Sequence, residues 1–260
     1  MPSALFIGDS GTGKTHAIAT MIAAGLHVCH VPVEPKRGAL LRARPLIIDI
    51  NELHDGKRPT AGIRWDRLQR FADELGNGGY REFDGRDIDA ITVDGITEVG
   101  SVIHMALKPI YDKTKTLIMW EEIGIKTVDF VNTLRDAADY SSTKFGLRPM
   151  AIIATCGETV QVDGDVTRFV PLLPGKKAAK SLAYPFEVIW RFSAGPGAAD
   201  EHEFRIHTQK GEDHIGKSPV GVFDLKVISG AGVDVDGSPD AGKMYMQLLE
   251  NKKSPYYRKK

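Results

Sequence analysis

A glycine-rich segment near the N-terminus has residue types and spacing suited to binding phosphate. Residues Gly8 to Thr15 match the pattern of a glycine, four variable residues, and then glycine, lysine and threonine. Glycines allow a backbone curl whose N–H groups face an anion, and a helix beginning near Lys14 adds its positive end. We therefore predict a nucleotide site formed by Gly8, Asp9, Ser10, Gly11, Thr12, Gly13, Lys14 and Thr15.

A metal site is predicted from two residues that lie far apart in the sequence. The Thr15 hydroxyl is suited to binding Mg²⁺, while Lys14 is suited to bridging β- and γ-phosphate oxygens and thus to a catalytic role. The apolar run Asp89-Ala-Ile-Thr-Val-Asp94 ends in a carboxylate, and ligands of α/β sheets bind beyond the carboxyl ends of strands. We predict Thr15 and Asp94 as metal-binding residues, with ATP and Mg²⁺ as cofactors.

Hydrolysis of a nucleotide also requires a group that orients or deprotonates water. Glu34, which follows an apolar run, is the predicted catalytic carboxylate. Glu98, one helical turn after the predicted metal carboxylate, is the alternative. Glu158 follows the apolar run that ends at Thr155. Either Glu158 or Thr155 is a candidate for sensing the γ-phosphate.

The sequence favours ATP over GTP. Guanine recognition requires an Asn-Lys-x-Asp segment after a strand, and the nearest match, Asn251-Lys-Lys-Ser254, lacks the aspartate. Contacts to adenine are not identified by any motif.

The elements that must position these residues follow an alternating pattern. Short apolar runs alternate with amphipathic segments, which is typical of an α/β fold with a parallel sheet. Near-continuous apolar runs, as expected for strands buried on both faces, are Ala4–Ile7, Val28–Val33, Leu46–Ile50, Ala90–Val93 and Ala151–Thr155. Helices are predicted at Lys14–Ala24, Trp65–Leu75, Thr97–Lys108 and Thr127–Tyr140.

The pattern changes after about residue 185. Phe186–Phe192, Glu203–Thr208 and Gly221–Ile228 are predicted strands with no helix between them, which favours antiparallel pairing. We expect one core domain over residues 1–235, with this β extension beginning near 185, and a polar, basic C-terminal tail over 236–260.

Composition excludes several classes of protein. The 260 residues include 34 Lys plus Arg and 34 Asp plus Glu, so the formal net charge is zero, and nucleic-acid binding through bulk positive charge is not expected. No apolar run reaches the roughly 18–20 residues of a membrane span, and the N-terminus carries no secretion signal. Two cysteines cannot build a disulfide framework. We expect an intracellular, cytoplasmic protein with no membrane partner.

Taken in order, the motifs resemble those of RecA-type ATPase cores. The segments that carry the resemblance are Phe6-Ile-Gly-Asp-Ser-Gly-Thr-Gly-Lys-Thr15, Ile91-Thr-Val-Asp-Gly-Ile-Thr-Glu-Val99 and Ala151-Ile-Ile-Ala-Thr-Cys-Gly-Glu158. With Phe169-Val-Pro-Leu-Leu-Pro-Gly-Lys-Lys177, they also resemble a small phage-encoded ATP-binding family related to RecA and RadA. That family includes the single-strand annealing recombinases of the Sak-four group.

The resemblance implies a RecA-like sheet in which the Ala151–Thr155 strand lies between the strands that end at Gly8 and Asp94. It implies ATP-site roles for Lys14, Thr15 and Asp94, and a catalytic role for Glu34. It also implies a homo-oligomer whose subunit interface closes over the nucleotide, and host cytoplasm as the location if the protein is phage-encoded. One departure is Thr155-Cys-Gly-Glu158, where relatives often have Thr-x-His-Glu or an amide.

Single-stranded DNA is the partner that the resemblance implies, because loops after the corresponding motifs face DNA in RecA-like proteins. The matching segment is Thr159–Lys180, which is basic at Arg168, Lys176, Lys177 and Lys180. We predict a flexible loop that contacts phosphates when ATP orders it, with a solvated surface loop as the alternative. The tail after Asn251, with two tyrosines and five basic residues, is a second candidate DNA contact or simply a solubilising end.

The predicted function is ATP binding and hydrolysis in DNA recombination or single-strand annealing. One alternative is a non-hydrolysing ATP-binding switch that docks a replication or packaging partner. Another is a small-molecule or nucleotide kinase, which would need an arginine-rich lid, whereas Arg135 and Arg148 are isolated.

Overall fold

The computed structural model describes residues 2–34, 40, 43–111, 116–163, 165–174, 176–196, 202–208, 210, 213, 215–217, 227–229 and 240–250. The strands are β1 (Ala4–Gly8), β2 (Val28–Pro32), β3 (Leu46–Ile47), β4 (Glu82–Phe83), β5 (Arg86–Asp87), β6 (Ala90–Asp94), β7 (Ala151–Cys156), β8 (Glu158–Asp163), β9 (Val166–Pro171), β10 (Val188–Pro196), β11 (His202–His207) and β12 (Val227–Ser229). The helices are α1 (Lys14–Ala23), α2 (Ala61–Gly76), α3 (Ile96–Leu107), α4 (Thr116–Phe145), α5 (Lys176–Ser181) and α6 (Ala241–Glu250).

The main sheet has eight strands in the order β12-β11-β10-β1-β7-β6-β2-β3. Pairing is parallel from β10 to β3 and antiparallel at β10–β11 and β11–β12. Strand β7 lies between β1 and β6, which confirms the strand arrangement implied by the resemblance. The fold is α/β, a RecA-like core with a mostly parallel sheet and a C-terminal antiparallel β extension.

Helices cover both faces of this sheet. Because successive side chains of a strand point to opposite faces, each central strand contributes to a hydrophobic cluster on either face. Leu5 and Ile7 belong to a hydrophobic cluster that includes residues of α2, α3 and α4. Ala4 and Phe6 belong to the cluster on the other face, which includes residues of α1 and α6. The central strands are therefore buried on both faces, as their continuous apolar sequences predict.

The register of the parallel strands aligns the ends of the strands that carry the candidate site residues. Thr155 of β7 pairs with Phe6 of β1 on one side and with Asp94 of β6 on the other. The carboxyl ends of these strands therefore meet at one edge of the sheet, where ligands of α/β folds bind. The predicted phosphate-binding segment follows β1 at this same edge.

The segment Thr159–Lys180, predicted as a flexible loop, has regular structure instead. Strands β8 and β9 form an antiparallel hairpin, in which Val160 pairs with Phe169, and α5 follows. Alternating β-branched residues on both sides of an Asp-Gly dipeptide are a hairpin signal in the sequence. The basic residues thus lie on a hairpin and a short helix rather than on a loop.

Part of the expected C-terminal tail is helical. Helix α6 packs its buried residues, which include Met244, Tyr245 and Leu248, against the sheet and α1. A Cβ on Gly242 would lie 2.1 Å from the Thr20 carbonyl oxygen, so only glycine allows this approach of the two helices. The apolar spacing of i, i+1 and i+4 is that of an amphipathic helix, while residues 251–260 lie outside the described part of the chain.

Candidate nucleotide site

The predicted phosphate-binding segment has the backbone conformation that its glycines predict. Gly11 and Gly13 have positive φ angles of 81° and 92°, which favour glycine, and α1 begins directly afterwards at Lys14. A Cβ on Gly8 would lie 2.4 Å from the Phe192 carbonyl oxygen. The start of the loop therefore packs closely against β10, and its middle has the backbone conformation that favours glycine.

Lys14 lies over this loop. Its Nζ atom donates hydrogen bonds to the carbonyl oxygens of Gly8 (2.8 Å) and Asp9 (2.7 Å). Burial lowers the pKa of Lys14 below its ordinary value of 10.5, because the ammonium group loses hydration, while nearby acidic groups oppose this shift. Those groups are Cys156, Asp94, Glu34 and Glu158. An incoming phosphate can replace the two carbonyl acceptors and stabilise the charged lysine.

Three strand and helix ends converge on the Asp94 carboxylate. The Thr15 hydroxyl, in the first turn of α1, donates to Oδ2 at 2.9 Å. The Thr155 hydroxyl, near the end of β7, donates to Oδ1 at 2.6 Å and accepts from the Gly95 N–H at 2.9 Å. Thr155, a candidate sensor in the sequence, therefore orients the predicted metal carboxylate.

The donor set of Thr15 and Asp94 fits Mg²⁺. This ion prefers oxygen ligands and is usually held by one or two protein groups together with waters and substrate phosphates. No cluster of three or more His, Cys, Asp or Glu residues that could hold a metal ion occurs in the described residues. A hydroxyl and a carboxylate beside a phosphate loop are what a phosphate-bound Mg²⁺ requires from the protein.

A cavity of about 520 Å³ opens above these groups, which is within the range of small-molecule sites. Of the residues predicted from the sequence, those that line it are Asp9, Ser10, Gly11, Gly13, Lys14, Thr15, Glu34, Asp94 and Glu158, together with Thr155. Gly8 and Thr12 are not lining residues, and the Thr12 hydroxyl donates to the Asp9 carbonyl at 2.8 Å. His16, Gly95, Thr97, Cys156, Gly157 and Leu172 complete the lining.

The structure separates the two carboxylates considered for water activation. Glu34 is half-buried and lines the cavity. A Cβ on Gly95 would lie 3.2 Å from Glu34 Cγ, so this glycine makes room for the glutamate. Glu98 instead forms an ion pair with Arg64 at 3.6 Å and is not a lining residue. The geometry favours Glu34 over Glu98.

Glu158 lines the cavity but has a cationic partner. Arg191 donates from Nε to Glu158 Oε2 at 2.7 Å and from Nη2 to Oε1 at 3.0 Å. Arg191 is absent from the residues predicted above, although a charged residue within the apolar run Val188-Ile-Trp-Arg-Phe192 is a signal of a buried ion pair. The structure thus adds a guanidinium behind the cavity wall.

Thr97 is a second residue that the sequence motifs do not identify. Its hydroxyl accepts from the Gly157 N–H at 2.9 Å, donates to the Leu172 carbonyl at 3.2 Å and lies 3.4 Å from Cys156 Sγ. Gly157 precedes the β8–β9 hairpin and Leu172 follows it. One hydroxyl at the start of α3 therefore holds both ends of the hairpin at the cavity.

The two cysteines are buried free thiols, and the isolated arginines do not line the cavity. Burial raises the pKa of the Cys156 thiol to about 11 and of the Cys29 thiol to about 12, so both are protonated near neutral pH and unreactive. Arg135 pairs with the neighbouring Asp136 on the surface. Arg148 pairs with Asp89, which precedes β6 at the opposite edge of the sheet from the site.

The strand order and the mostly parallel sheet define an α/β protein with a RecA-like core. No protein-family model matches the chain, and neither does any curated protein. Solved structures to which it is similar include the flagellar accessory protein FlaH from Methanocaldococcus jannaschii. That likeness has 10% sequence identity and a TM-score of 0.41, and it covers 88% of this chain and 84% of that chain. Among the described residues, no helix combines the length and apolar character needed to cross a membrane.

Proposed function

We propose that this protein binds ATP with Mg²⁺ and hydrolyses the nucleotide. The observation that carries the proposal is the 2.9 Å contact between the Thr15 hydroxyl and the Asp94 carboxylate, in the cavity that Lys14 lines. These two residues are 79 positions apart in the sequence. A phosphate-binding lysine and a pair of oxygen ligands for Mg²⁺ in one cavity are the parts that a P-loop nucleotide site requires.

Each residue of the proposed site has a separate role. The backbone N–H groups of the loop and the Lys14 ammonium bind phosphate oxygens. Thr15 and Asp94 hold Mg²⁺, which when bound neutralises charge on the phosphate oxygens. Glu34 orients a water molecule and accepts its proton. Thr155 keeps the Asp94 carboxylate in place through its hydroxyl.

The experiment is ATP turnover by the full-length protein with Mg²⁺, compared between wild type and Lys14→Ala. We expect Lys14→Ala to lose ATP binding and to reduce turnover by about 100-fold or more, because the loss of a phosphate-binding cation removes transition-state stabilisation. Lys126→Ala is the matched control, because Lys126 lies on α4 in an ion pair with Glu122 and does not line the cavity. Wild-type turnover in Lys14→Ala would overturn the assignment.

The same experiment distinguishes the two alternative functions. Tight ATP binding with no turnover in the wild type would support a non-hydrolysing switch. ADP release that depends on a small-molecule acceptor would support a kinase, although no arginine is found among the described residues that line the cavity.

We further propose that the ATPase acts on single-stranded DNA, in recombination or annealing, as a homo-oligomer. The β8–β9 hairpin and α5 support this proposal, because the hairpin begins and ends at the nucleotide cavity through Gly157 and Leu172. Arg168 on the hairpin and Lys177 and Lys180 on α5 are exposed. Exposed cations on an element anchored at the nucleotide are suited to binding phosphates in a nucleotide-dependent way.

The DNA proposal is tested by measuring ATP turnover with and without single-stranded DNA. We expect DNA to increase turnover in the wild type. The combined variant Arg168→Ala, Lys177→Ala and Lys180→Ala should keep the basal rate and lose the increase. Light scattering with and without ATP tests the homo-oligomer. A protein that hydrolyses ATP but binds no single-stranded DNA in any nucleotide state would retain the ATPase assignment and exclude the DNA role.

A further inference from the structure

The Arg191 guanidinium is buried between the main sheet and the β8–β9 hairpin. Arg191 lies on β10, and only 8% of its surface is exposed. It makes the bidentate ion pair with Glu158 of β8, and its Cζ atom lies 3.9 Å from the centre of the Phe169 ring on β9. One side chain of the core therefore contacts both strands of the hairpin.

Glu158 places a negative charge in the wall of a site for anionic phosphates. Its side chain is 9% exposed, so water screens this charge weakly. The carboxylate lines the same cavity as Lys14, and it follows β7, the strand whose Thr155 hydroxyl bonds the Asp94 carboxylate. In P-loop sites this lysine contacts β- and γ-phosphate oxygens, so repulsion from Glu158 falls most heavily on the third phosphate.

The bidentate ion pair removes most of this repulsion. Both carboxylate oxygens of Glu158 accept from Arg191, which is the strongest arrangement of an arginine and a carboxylate. Without the guanidinium, the cavity wall would present a buried carboxylate that lacks a cation at this position. A diphosphate, whose charge ends farther from Glu158, would be affected less than a triphosphate.

We propose that Arg191 is a positioning residue that sets the preference of this site for a nucleoside triphosphate over a diphosphate by neutralising and holding Glu158. The inference rests on the proposed nucleotide site and names a determinant of its selectivity. Arg191 also contacts Phe169, so the residue that holds Glu158 on the first strand of the hairpin also contacts the second strand.

The test measures the affinity of Mg²⁺ with a non-hydrolysable ATP analogue, and of Mg²⁺ with ADP, in four full-length proteins. These are the wild type, Arg191→Met, Glu158→Gln and the double variant. We expect Arg191→Met to weaken binding of the ATP analogue by about tenfold or more, as found when one partner of a buried charge pair is removed, and to weaken ADP by less than about threefold. Glu158→Gln should bind the ATP analogue more tightly than the wild type does, because the cavity wall loses the carboxylate and keeps the Arg191 cation.

The double variant carries the decisive result. We expect Glu158→Gln to restore binding of the ATP analogue in Arg191→Met, because the uncompensated carboxylate is then gone. An equal loss for both nucleotides in Arg191→Met, without rescue in the double variant, would assign Arg191 a merely structural role and overturn the inference. Arg191→Lys, which keeps the charge, should retain the preference for the triphosphate.

Two further comparisons keep the outcome decisive. If Arg191→Met does not fold, Glu158→Asp replaces it, because the shorter side chain keeps the charge and breaks the bidentate pair. Glu158→Asp should weaken the ATP analogue more than ADP, and equal weakening would overturn the inference. If the wild type binds nucleotide no better than Lys14→Ala, the proposed function itself fails, and the inference fails with it.

Discussion

The two carboxylates at the carboxyl edge of the sheet, Asp94 and Glu158, are buried to a similar degree but have different partners. Asp94 is 6% exposed and accepts hydrogen bonds from the hydroxyls of Thr15 and Thr155. The Glu158 side chain is 9% exposed and forms a bidentate ion pair with Arg191. The first lies beside the phosphate loop, and the second lies at the base of the hairpin.

The comparison shows that the partner of a buried carboxylate decides its role more than its residue type does. Hydroxyl donors orient Asp94 without cancelling its charge, so the carboxylate is suited to a cation. A guanidinium neutralises the charge of Glu158, and the ion pair joins the hairpin to β10. Of the two, Asp94 is therefore the candidate metal ligand, although both line the same cavity.

The largest expected effect comes from replacing the candidate metal ligand, Asp94. We expect Asp94→Asn to lower ATP turnover by about 10³-fold and to raise the Mg²⁺ concentration required, because an amide is a poor substitute for a charged oxygen ligand. Glu158→Gln is the matched change and should keep the Mg²⁺ dependence of the wild type. Turnover measured against Mg²⁺ concentration checks both, and equal responses of the two variants would remove the distinction between them.

Glu34 is a third carboxylate of the cavity, and its predicted role differs from those of Asp94 and Glu158. Glu34→Gln should lower turnover by about 10²-fold while leaving ATP affinity unchanged, because it removes the group that activates water. Glu98→Gln is the control, since Glu98 pairs with Arg64. Single-turnover rates and equilibrium binding separate the two effects. A normal rate in Glu34→Gln combined with a slow rate in Glu98→Gln would reverse their roles.

A smaller effect is expected from the hydroxyl that orients Asp94. Thr155→Val keeps the shape of the side chain and removes its bonds to Asp94 and to the Gly95 N–H. We expect about tenfold weaker Mg²⁺ binding in the presence of nucleotide, and a loss of about 1–3 kcal/mol in the free energy of unfolding. Thr133→Val, at an exposed position of α4, is the control. An unchanged Mg²⁺ affinity would contradict the orienting role of Thr155.

The smallest expected effect is a dependence of nucleotide binding on pH. Burial lowers the pKa of Lys14 below 10.5, whereas bound phosphates favour the charged lysine. ATP affinity should therefore fall as pH rises toward 10.5, starting at a lower pH than for an exposed lysine, and binding should be accompanied by proton uptake. Calorimetry in buffers of different ionisation enthalpy measures that uptake, and its absence at high pH would contradict the lowered pKa.

The sequence alone determined the local chemistry of the phosphate loop and the identity of the core strands. Glycines with positive φ, the lysine and the threonine act within eight consecutive residues, and apolar runs indicate buried strands wherever they occur in the chain. Asp94 was predictable because the carboxyl end of a strand is recognisable from its own sequence. The hairpin and α6 also had local signals, in the alternation around Asp163-Gly164-Asp165 and in the spacing of Met244, Tyr245 and Leu248.

The tertiary structure alone decided which charged groups meet. Glu158 and Arg191 are 33 positions apart, and they meet because the hairpin folds back over a face of the sheet to which β10 contributes. Glu98 on α3 is paired with Arg64 on α2, whereas Glu34, which follows β2, lines the cavity. Ion pairs of this kind depend on strand order and register, which are set by packing of the whole core rather than by neighbours along the chain. The surroundings of Glu158 and Glu98 are thus set by residues that no local motif connects to them.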